Sequence, residues 1–217
     1  MTGGVLFDLD GVLIDSEGLW HRATNTVLAE WGITVGADEY GREWIGTAKG
    51  PEFGVVKYRL PIDADEFRRR RKPIVEHLVA TEAALMPGAL EALERLSLRY
   101  PLALATNSPA SSVGAVFDRY GLRRWFKDLL TRERYEKAKP APDAFLAAAA
   151  ALGLPPARCV VIEDAERGVL AAHRAGTKIV AVPNVWTQSH DFSLADRVVA
   201  RLDDVTTSLV DSLVRDA

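Results

Sequence analysis

The strongest constraint on how this chain can fold lies in its first fifteen residues. Residues 5–7 form a short apolar run of strand-forming side chains, which predicts a buried strand. Asp8 and Asp10 follow where that strand should end, and Gly11 can adopt an unusual backbone turn. Carboxylates beside a core must be paired or bind a metal, and ligands of open α/β sheets bind at the carboxyl ends of strands. The pattern favours a metal-assisted carboxylate site, with a loop that only caps the next helix as the alternative.

After this strand the chain changes its pattern twice. Residues 14–86 carry helical apolar patterns, whereas from Pro87 onward short apolar runs alternate with helical patterns. Such alternation predicts an α/β fold with a Rossmann-like parallel sheet and helices on both faces. The helical block then forms an insertion after the first strand. We expect a core of residues 1–15 and 87–217 and a helical cap domain of residues 16–86.

Composition excludes several other classes of protein. The net charge is −3 over 217 residues, so the chain as a whole is not drawn to nucleic acid or to an anionic membrane. The single cysteine, Cys159, excludes an intramolecular disulfide and a zinc site built from cysteines. The sequence contains no secretion signal and no apolar run that could span a bilayer, so we expect a cytoplasmic protein. We expect a monomer that acts on a small molecule and binds neither nucleic acid nor membrane.

The inserted block contains one run of basic residues, 68–72. Consecutive residues point in different directions around a helix, and no aromatic residues alternate with this run as they would in a base-stacking surface. We therefore predict a solvated helix face, from which one arginine could steer an acidic substrate. Pro73 follows the run and should kink or break the helix, because it removes a backbone donor and clashes with the preceding turn.

Two later positions could hold an anion. Residues 102–105 predict a strand that leads into Thr106 and Asn107, whose hydroxyl and backbone N–H groups suit a phosphate oxygen. An ordinary helix N-cap would use the same residue types, so a capping role without phosphate binding remains the alternative. Lys139 stands directly before a proline that would hold it rigidly, and we favour it over Lys137 for this reason.

A second pair of carboxylates follows a later strand. Residues 160–162 form an apolar run, and Glu163 and Asp164 come directly after it. At the same edge of a sheet they would join Asp8 and Asp10, and such crowding raises carboxylate pKa values unless a cation neutralises it. An all-oxygen site with room for water and phosphate favours Mg²⁺ over zinc.

Taken in order, these motifs resemble those of the haloacid dehalogenase-like hydrolase superfamily, most of whose members are phosphatases and phosphomutases. Residues 8–12 resemble its DxDGV motif, and residues 139–145 its KPxPxxF motif. Residues 163–176 resemble its EDSxxGxxAAxxAG motif with Ala165 in place of Ser, and Thr106 stands where the family carries Thr or Ser. The resemblance covers nearly the whole chain. The position of the helical block resembles the C1 cap of the beta-phosphoglucomutase-like subfamily.

The resemblance implies a role for each motif residue. Asp8 would be the nucleophile that becomes an aspartyl phosphate, and Asp10 the general acid and base. Thr106, the Asn107 backbone and Lys139 would hold the transferring oxygens, and Mg²⁺ would be the cofactor. The implied metal-binding groups are the Asp8 carboxylate, the Asp10 backbone carbonyl and Asp164. Glu163 would bind the ion directly or contact one of the groups that bind it.

In this family the cap selects the leaving group. His21 and Lys49 are candidates for binding the substrate, with Trp20, Trp44 and Gly46 beside them, although His21 could equally serve packing. The subfamily's mutases carry a histidine and an arginine where this chain has Trp20 and Lys49, and lysine cannot reproduce the bidentate grip of arginine. We therefore expect a phosphatase acting on a small phosphorylated metabolite such as a sugar or polyol phosphate. A beta-phosphoglucomutase-type mutase is the alternative.

Three other functions fit the motifs less well. Asp10 argues against a dehalogenase, because dehalogenases of this superfamily lack an acidic residue there. A non-catalytic binding protein would be expected to have lost the nucleophile or the lysine, and both are present. A dinucleotide-binding enzyme would need G-x-G-x-x-G after the first strand, where this chain has Asp-Leu-Asp-Gly at residues 8–11.

Overall fold

The computed structural model describes residues 3–45 and 50–215. The strands of these ranges are β1 Gly4–Phe7, β2 Ile14–Asp15, β3 Ala84–Leu85, β4 Leu102–Ala105, β5 Phe126–Leu130, β6 Cys159–Glu163, β7 Lys178–Ala181 and β8 Arg197–Val198. Six of them form a parallel sheet in the order β5-β4-β1-β6-β7-β8. The strand that comes first in the sequence therefore lies between β4 and β6, in the interior of the sheet.

Helices cover both faces of this sheet. The helices of the described ranges are α1 Glu17–Leu28, α2 Ala37–Glu39, α3 Gly50–Tyr58, α4 Ala64–Glu82, α5 Ala89–Ser97, α6 Ala110–Tyr120, α7 Asp143–Ala151, α8 Glu166–Ala175 and α9 Thr207–Arg215. Helices α5, α6 and α9 pack on the face that carries Val5 and Phe7, and α7 and α8 pack on the face that carries Leu6. The predicted α/β fold is confirmed.

The residue pattern of the central strands explains this arrangement. Strands β1, β4 and β6 are buried along their whole length, as expected for parallel strands covered on both faces. Alternate residues of β1 point to opposite faces, so Val5 and Leu6 belong to different apolar cores.

None of the helices in the described ranges is long and apolar enough to cross a membrane.

Helices α1 to α4 form an inserted layer between β2 and β3. These two strands pair antiparallel in a separate two-stranded sheet, with Ile14 opposite Leu85, so the inserted layer begins and ends at adjacent points. The layer has its own apolar cluster, which includes Trp44 and Phe67. Val79 of α4, by contrast, packs into the same core as β1. The insertion is therefore anchored at its base to the sheet.

We predicted that Pro73 would kink or break helix α4; the helix continues through Pro73, so a break is wrong and a kink stays a prediction. Proline removes one hydrogen bond and crowds the preceding turn, but a helix in a protein is stabilised mainly by packing of its apolar face. Phe67 before the proline and Val75 and Val79 after it are all buried. Burial on both sides of Pro73 explains why the helix continues. At its start, the Asp63 side chain accepts a hydrogen bond from the backbone N–H of Glu66 at 2.7 Å.

Candidate active site

The carboxyl ends of β1, β4 and β6 meet at one edge of the sheet and open into a small pocket. Its lining contains most of the side chains that the sequence predicts for the site, namely Asp8, Asp10, Thr106, Asn107, Lys139, Glu163 and Asp164. Parallel neighbours end together, and this is why residues far apart in the chain meet here.

Lys139 lies at the centre of this group. Its Nζ donates to Asp8 Oδ1 at 2.6 Å and to Glu163 Oε1 at 2.7 Å, and all three side chains are buried. The side-chain oxygen of Asn107 accepts from the backbone N–H of Lys139 at 3.0 Å and so fixes the loop that carries the lysine. Lys137, the rival in the sequence, is exposed. The structure therefore places Lys139, and not Lys137, beside the carboxylates.

Three carboxylates form a buried acidic cluster. One oxygen each of Asp8, Glu163 and Asp164 lies within 4.8 Å of the others, a spacing that could hold a metal ion. Both oxygens of Glu163 are already hydrogen-bonded, Oε1 to Lys139 and Oε2 to the backbone N–H groups of Asp164 and Ala165 at 3.0 and 3.2 Å. Glu163 thus orients the lysine and the turn after β6, and leaves Asp8 and Asp164 as the better metal ligands.

Burial and crowding shift the pKa values of these groups. Burial raises the pKa of Asp8 to about 7, against the attraction of Lys139 and with help from the charges of Glu163 and Asp10. Burial and the neighbouring Glu163 hold the pKa of Asp164 well above its usual range. Burial disfavours the charge on Lys139, but Asp8 and Glu163 outweigh it and raise the lysine's pKa. The sequence predicted that crowding would raise the pKa values of these carboxylates unless a cation neutralised them.

Two glycines allow the carboxylates to approach the backbone closely. Gly11 has a φ of +79°, and a Cβ there would lie 2.2 Å from an Asp164 carboxylate oxygen. A Cβ at Gly168, in the first turn of α8, would lie 1.8 Å from Glu163 Oε1. Any larger side chain would therefore displace a carboxylate of the site.

Asp10 lines both the small pocket of the acidic cluster and the cleft beside the inserted layer. One carboxylate oxygen accepts from Ser16 Oγ at 2.6 Å, and the other accepts from Ser108 Oγ at 2.5 Å. Trp20 Nε1 and Thr106 Oγ1 lie 3.4 Å from the same carboxylate. Asp10 therefore has contacts from both the sheet edge and helix α1.

Asn184 belongs to the site, although the sequence analysis missed it. Its Nδ2 donates to Asp164 Oδ2 at 2.8 Å, and its Oδ1 accepts from the backbone N–H of Trp186 at 2.9 Å. The Trp186 ring packs in turn against Tyr40 of the inserted layer. A signal was available, because Asn184 follows β7, the strand next to β6, and strand ends in a parallel sheet meet at one edge.

A cleft of about 320 Å³ separates the sheet edge from the inserted layer. Trp20, Tyr40 and Trp44 form an aromatic part of its wall, and the sequence analysis named both tryptophans as candidates. Arg71 and Arg167 also line the cleft, and neither was singled out from the sequence.

The basic run divides into two kinds of side chain. Arg68, Arg69 and Arg70 form ion pairs with acidic residues, as expected for a solvated helix face, although Arg68 also lines the cleft. Arg71 instead donates to Thr24 Oγ1 at 3.2 Å and turns its guanidinium toward the cleft. That one arginine of the run steers an acidic substrate stays a prediction, for which Arg71 is a candidate.

The structure does not bring His21 into the cleft. Its Nε2 lies 2.7 Å from the carbonyl oxygen of Val35 and 3.0 Å from Nδ2 of Asn25. The ring packs against Tyr40 and Trp186, so the position of His21 fits a packing role. Gly46 and Lys49, the other candidates from this region, lie outside the described residues.

Comparison with known proteins agrees with this geometry. A family model of haloacid dehalogenase-like hydrolases matches residues 2–176. The chain is 33% identical over 217 residues to the bifunctional riboflavin kinase/FMN phosphatase of Arabidopsis thaliana, covering 94% of this chain but only 55% of that protein. It is 30% identical to hexitol phosphatase B of Escherichia coli K12, over 93% of both chains. The crystal structure of CbbY from Rhodobacter sphaeroides in complex with phosphate superposes with a TM-score of 0.81 and 27% identity, over 97% of this chain and 100% of CbbY. The chain therefore belongs to the haloacid dehalogenase-like hydrolases.

Proposed function

We propose that this hydrolase is a magnesium-dependent phosphatase that cleaves the phosphate ester of a small sugar or polyol phosphate through an aspartyl phosphate on Asp8. The observation that carries the proposal is the buried lysine bridging Asp8 and Glu163, with the Asp164 carboxylate beside them. Hexitol phosphatase B is named for a polyol phosphate, and CbbY was crystallised with phosphate, which supports this substrate class.

The donor set fits a magnesium ion. Asp8 and Asp164 offer buried carboxylate oxygens, the ligand type that Mg²⁺ prefers. Burial raises the pKa values of both groups, so a cation that favours their charged forms would be stabilising here. We assign the ion to these two carboxylates and the Asp10 backbone carbonyl, with Glu163 acting through Lys139 and the turn. When bound, the ion would neutralise charge that otherwise repels the phosphate dianion.

The side chains supply the two halves of the reaction. The Asp8 carboxylate attacks phosphorus while the ester P–O bond breaks, and Asp10 gives its proton to the departing alkoxide. Asp10 then takes a proton from the water that hydrolyses the aspartyl phosphate, which restores both carboxyl groups. Ser16 and Ser108 hold Asp10 for both steps. Thr106 and the Asn107 backbone bind phosphate oxygens, and Lys139 compensates the charge on them.

We further propose that residues 16–86 act as a cap domain whose movement about β2 and β3 admits the substrate. The antiparallel pairing of these short strands is the narrow connection between layer and sheet. Trp20 lines the cleft at the position next to His21, so the wall facing the leaving group is aromatic there. Nothing in the described cleft favours the mutase alternative over hydrolysis.

The test is phosphate release from a panel of sugar and polyol phosphates, with and without magnesium. Asp8→Asn removes the nucleophile, and we expect it to lower the rate by about 10³-fold or more. Asp118→Asn makes the same change on an exposed residue of α6 and should retain full activity. Release that persists in Asp8→Asn or without magnesium would overturn the proposal. Isomerisation of sugar 1-phosphates without net release would establish the mutase instead.

A further inference from the structure

The segment after β7, residues 183–190, contacts the acidic cluster near one end and the inserted layer near the other. We call it the connecting segment. Asn184 Nδ2 donates to Asp164 Oδ2 at 2.8 Å and to the carbonyl oxygen of Gly11 at 3.3 Å. Its Oδ1 accepts from the backbone N–H of Trp186 at 2.9 Å. Two acceptors around the nitrogen and one donor at the oxygen fix the orientation of this amide.

Asn184 holds one oxygen of a proposed metal ligand. Within residues 3–45 and 50–215, Asp164 Oδ2 accepts only this hydrogen bond, and Oδ1 accepts none. A hydrogen bond to one oxygen restricts rotation of the carboxylate, so the other oxygen is presented to an ion in a defined direction. Removing a group that orients a metal ligand in this way typically lowers metal affinity by about 10–100-fold. Asn184 is therefore placed to set the affinity of the site through Asp164.

Asn184 also orders the connecting segment itself. Its backbone N–H donates to Thr187 Oγ1 at 3.1 Å. Its carbonyl oxygen accepts from the backbone N–H groups of Thr187 at 3.1 Å and Gln188 at 3.0 Å. Thr187 is fully buried. These bonds close residues 184–188 into a compact turn, so the Asn184 side chain and the Trp186 ring belong to one structural unit.

This turn is docked on the inserted layer. The centroid of the Trp186 ring lies 5.3 Å from that of His21 and 5.8 Å from that of Tyr40. Beyond the turn, His190 Nε2 lies 3.0 Å from the carbonyl oxygen of Gly41. The contacts are non-covalent, unlike the chain connections through β2 and β3. A movement of the layer away from the sheet edge must therefore break them or displace the connecting segment.

We infer that Asn184 is a positioning residue for the metal site and that it couples Mg²⁺ binding to docking of the inserted layer. While the layer is docked, Trp186 holds the turn, Asn184 holds Asp164, and the affinity for Mg²⁺ is highest. Coupling between two sites is reciprocal, so bound Mg²⁺ in turn stabilises the docked layer. The inference rests on the magnesium site of the proposed function and deepens it, because it states how the position of the layer regulates that site.

Calorimetric titration of the metal-free protein with Mg²⁺ tests the inference without turnover. Asn184→Ala removes the orienting bond, and we expect the Kd for Mg²⁺ to rise by about tenfold or more. Trp186→Ala keeps the backbone N–H that Asn184 accepts but removes the docked ring, and we expect a rise of about fivefold. Val185→Ala is the matched control, because this exposed neighbour lies in the same turn, and it should bind Mg²⁺ as the wild type does.

A double-mutant cycle separates this coupling from a general loosening of the fold. If Trp186 acts through Asn184, Trp186→Ala should raise Kd by less than about twofold in the Asn184→Ala background. Equal effects in both backgrounds would overturn the coupling, and an unchanged Kd in Asn184→Ala would overturn the positioning role. Asp164→Asn locates the ion. Wild-type affinity in that variant would overturn both the inference and the proposed magnesium site, whereas intact coupling without phosphate release would be a failure of the proposed function alone.

The wild-type protein supplies a measurement that depends on no variant. Saturating Mg²⁺ should slow amide hydrogen exchange about fivefold in residues 184–190 and in residues 37–45 of the inserted layer. Asn184→Ala at saturating Mg²⁺ should lose the protection of residues 37–45. Slower exchange around the acidic cluster with no change in residues 37–45 of the wild type would overturn the coupling.

Discussion

The residues of the catalytic pocket form a buried group of charges that are costly for folding. Lys139 contacts Asp8 and Glu163 at 2.6 and 2.7 Å, and Asp164 adds a third carboxylate nearby. Hydrophobic residues of similar size would often be as stable or more stable in such a place. A group of this kind is therefore better explained by the chemistry of the site than by stability of the fold.

The first prediction concerns Lys139. Lys139→Met leaves Asp8 and Glu163 buried without their cation, so we expect the free energy of unfolding to fall by about 3 kcal/mol near neutral pH. Urea denaturation measures the change. Lys137→Met removes the same group two residues away on the surface and should stay within about 0.5 kcal/mol of the wild type. Equal effects of the two substitutions would show that the bridge has no special importance for the fold.

The second prediction follows from the pKa of Asp8. Its value of about 7 in the folded protein exceeds the ordinary 3.8, so between these values the folded chain binds more protons than the unfolded chain. The metal-free protein should therefore lose stability as pH rises through this window. One such group contributes at most about 1.4 kcal/mol per pH unit. The contribution of Asp8 is complete below the lower value and lost above the upper one.

Asp8→Asn removes this titration and should flatten the slope of unfolding free energy against pH in metal-free buffer. Glu17 and Asp164 also have raised pKa values, so part of the slope should remain. Asp118→Asn on the surface controls for the change in net charge. A variant slope equal to that of the wild type would contradict the assignment of the titration to Asp8.

At the scale of elements, one segment links the acidic cluster to the inserted layer. Asn184, after β7, donates to Asp164 and orders the turn to Trp186, whose ring contacts His21 and Tyr40. A Cβ at Gly41 would lie 2.5 Å from the carbonyl oxygen of Trp186, so the two segments are in close contact there. The orientation of Asp164 and the position of the layer are thus tied together by side chains that the catalytic motifs do not include.

The third prediction concerns helix α4. Pro73 lies on its exposed side between buried residues at Phe67 and Val75. Pro73→Ala restores a backbone hydrogen bond to the carbonyl of Arg69, so we expect stabilisation by about 1–3 kcal/mol without loss of activity. Thermal or urea unfolding would measure it. A destabilised variant would mean that the proline ring makes a packing contribution larger than the helix penalty.

Local patterns explain which features of the whole molecule the sequence could predict. The runs around Val5, Leu102 and Val160 each become a buried strand, and polar residues directly after them meet at one edge. This placed Asp8, Thr106 and Glu163 correctly, because the rule needs only strand direction and not detailed packing. Lys139 lies in a loop, and the proline after it, together with the family resemblance, distinguished it from Lys137.

The features that the sequence did not predict depend on contacts between segments that are far apart in the chain. Arg71 and Arg70 are adjacent and chemically identical in the sequence, and only the packing of α4 against α1 decides which of them faces the cleft. Arg167 lies inside a recognised motif at a position that the motif leaves open. Of the kink or break predicted at Pro73, the break does not occur, because the sequence shows the lost hydrogen bond but not the packing that compensates for it.

In the molecule as a whole, the sheet edge and the inserted layer enclose the site in which we propose that Asp8 is the nucleophile. The most direct measurement is a single turnover with excess enzyme, magnesium and a phosphate-labelled substrate, quenched in acid and followed by peptide mapping. We expect a phosphorylated peptide that contains Asp8, formed before phosphate is released and absent from Asp8→Asn. Labelling of a different residue, or release of phosphate at the full rate with no labelled peptide, would contradict it.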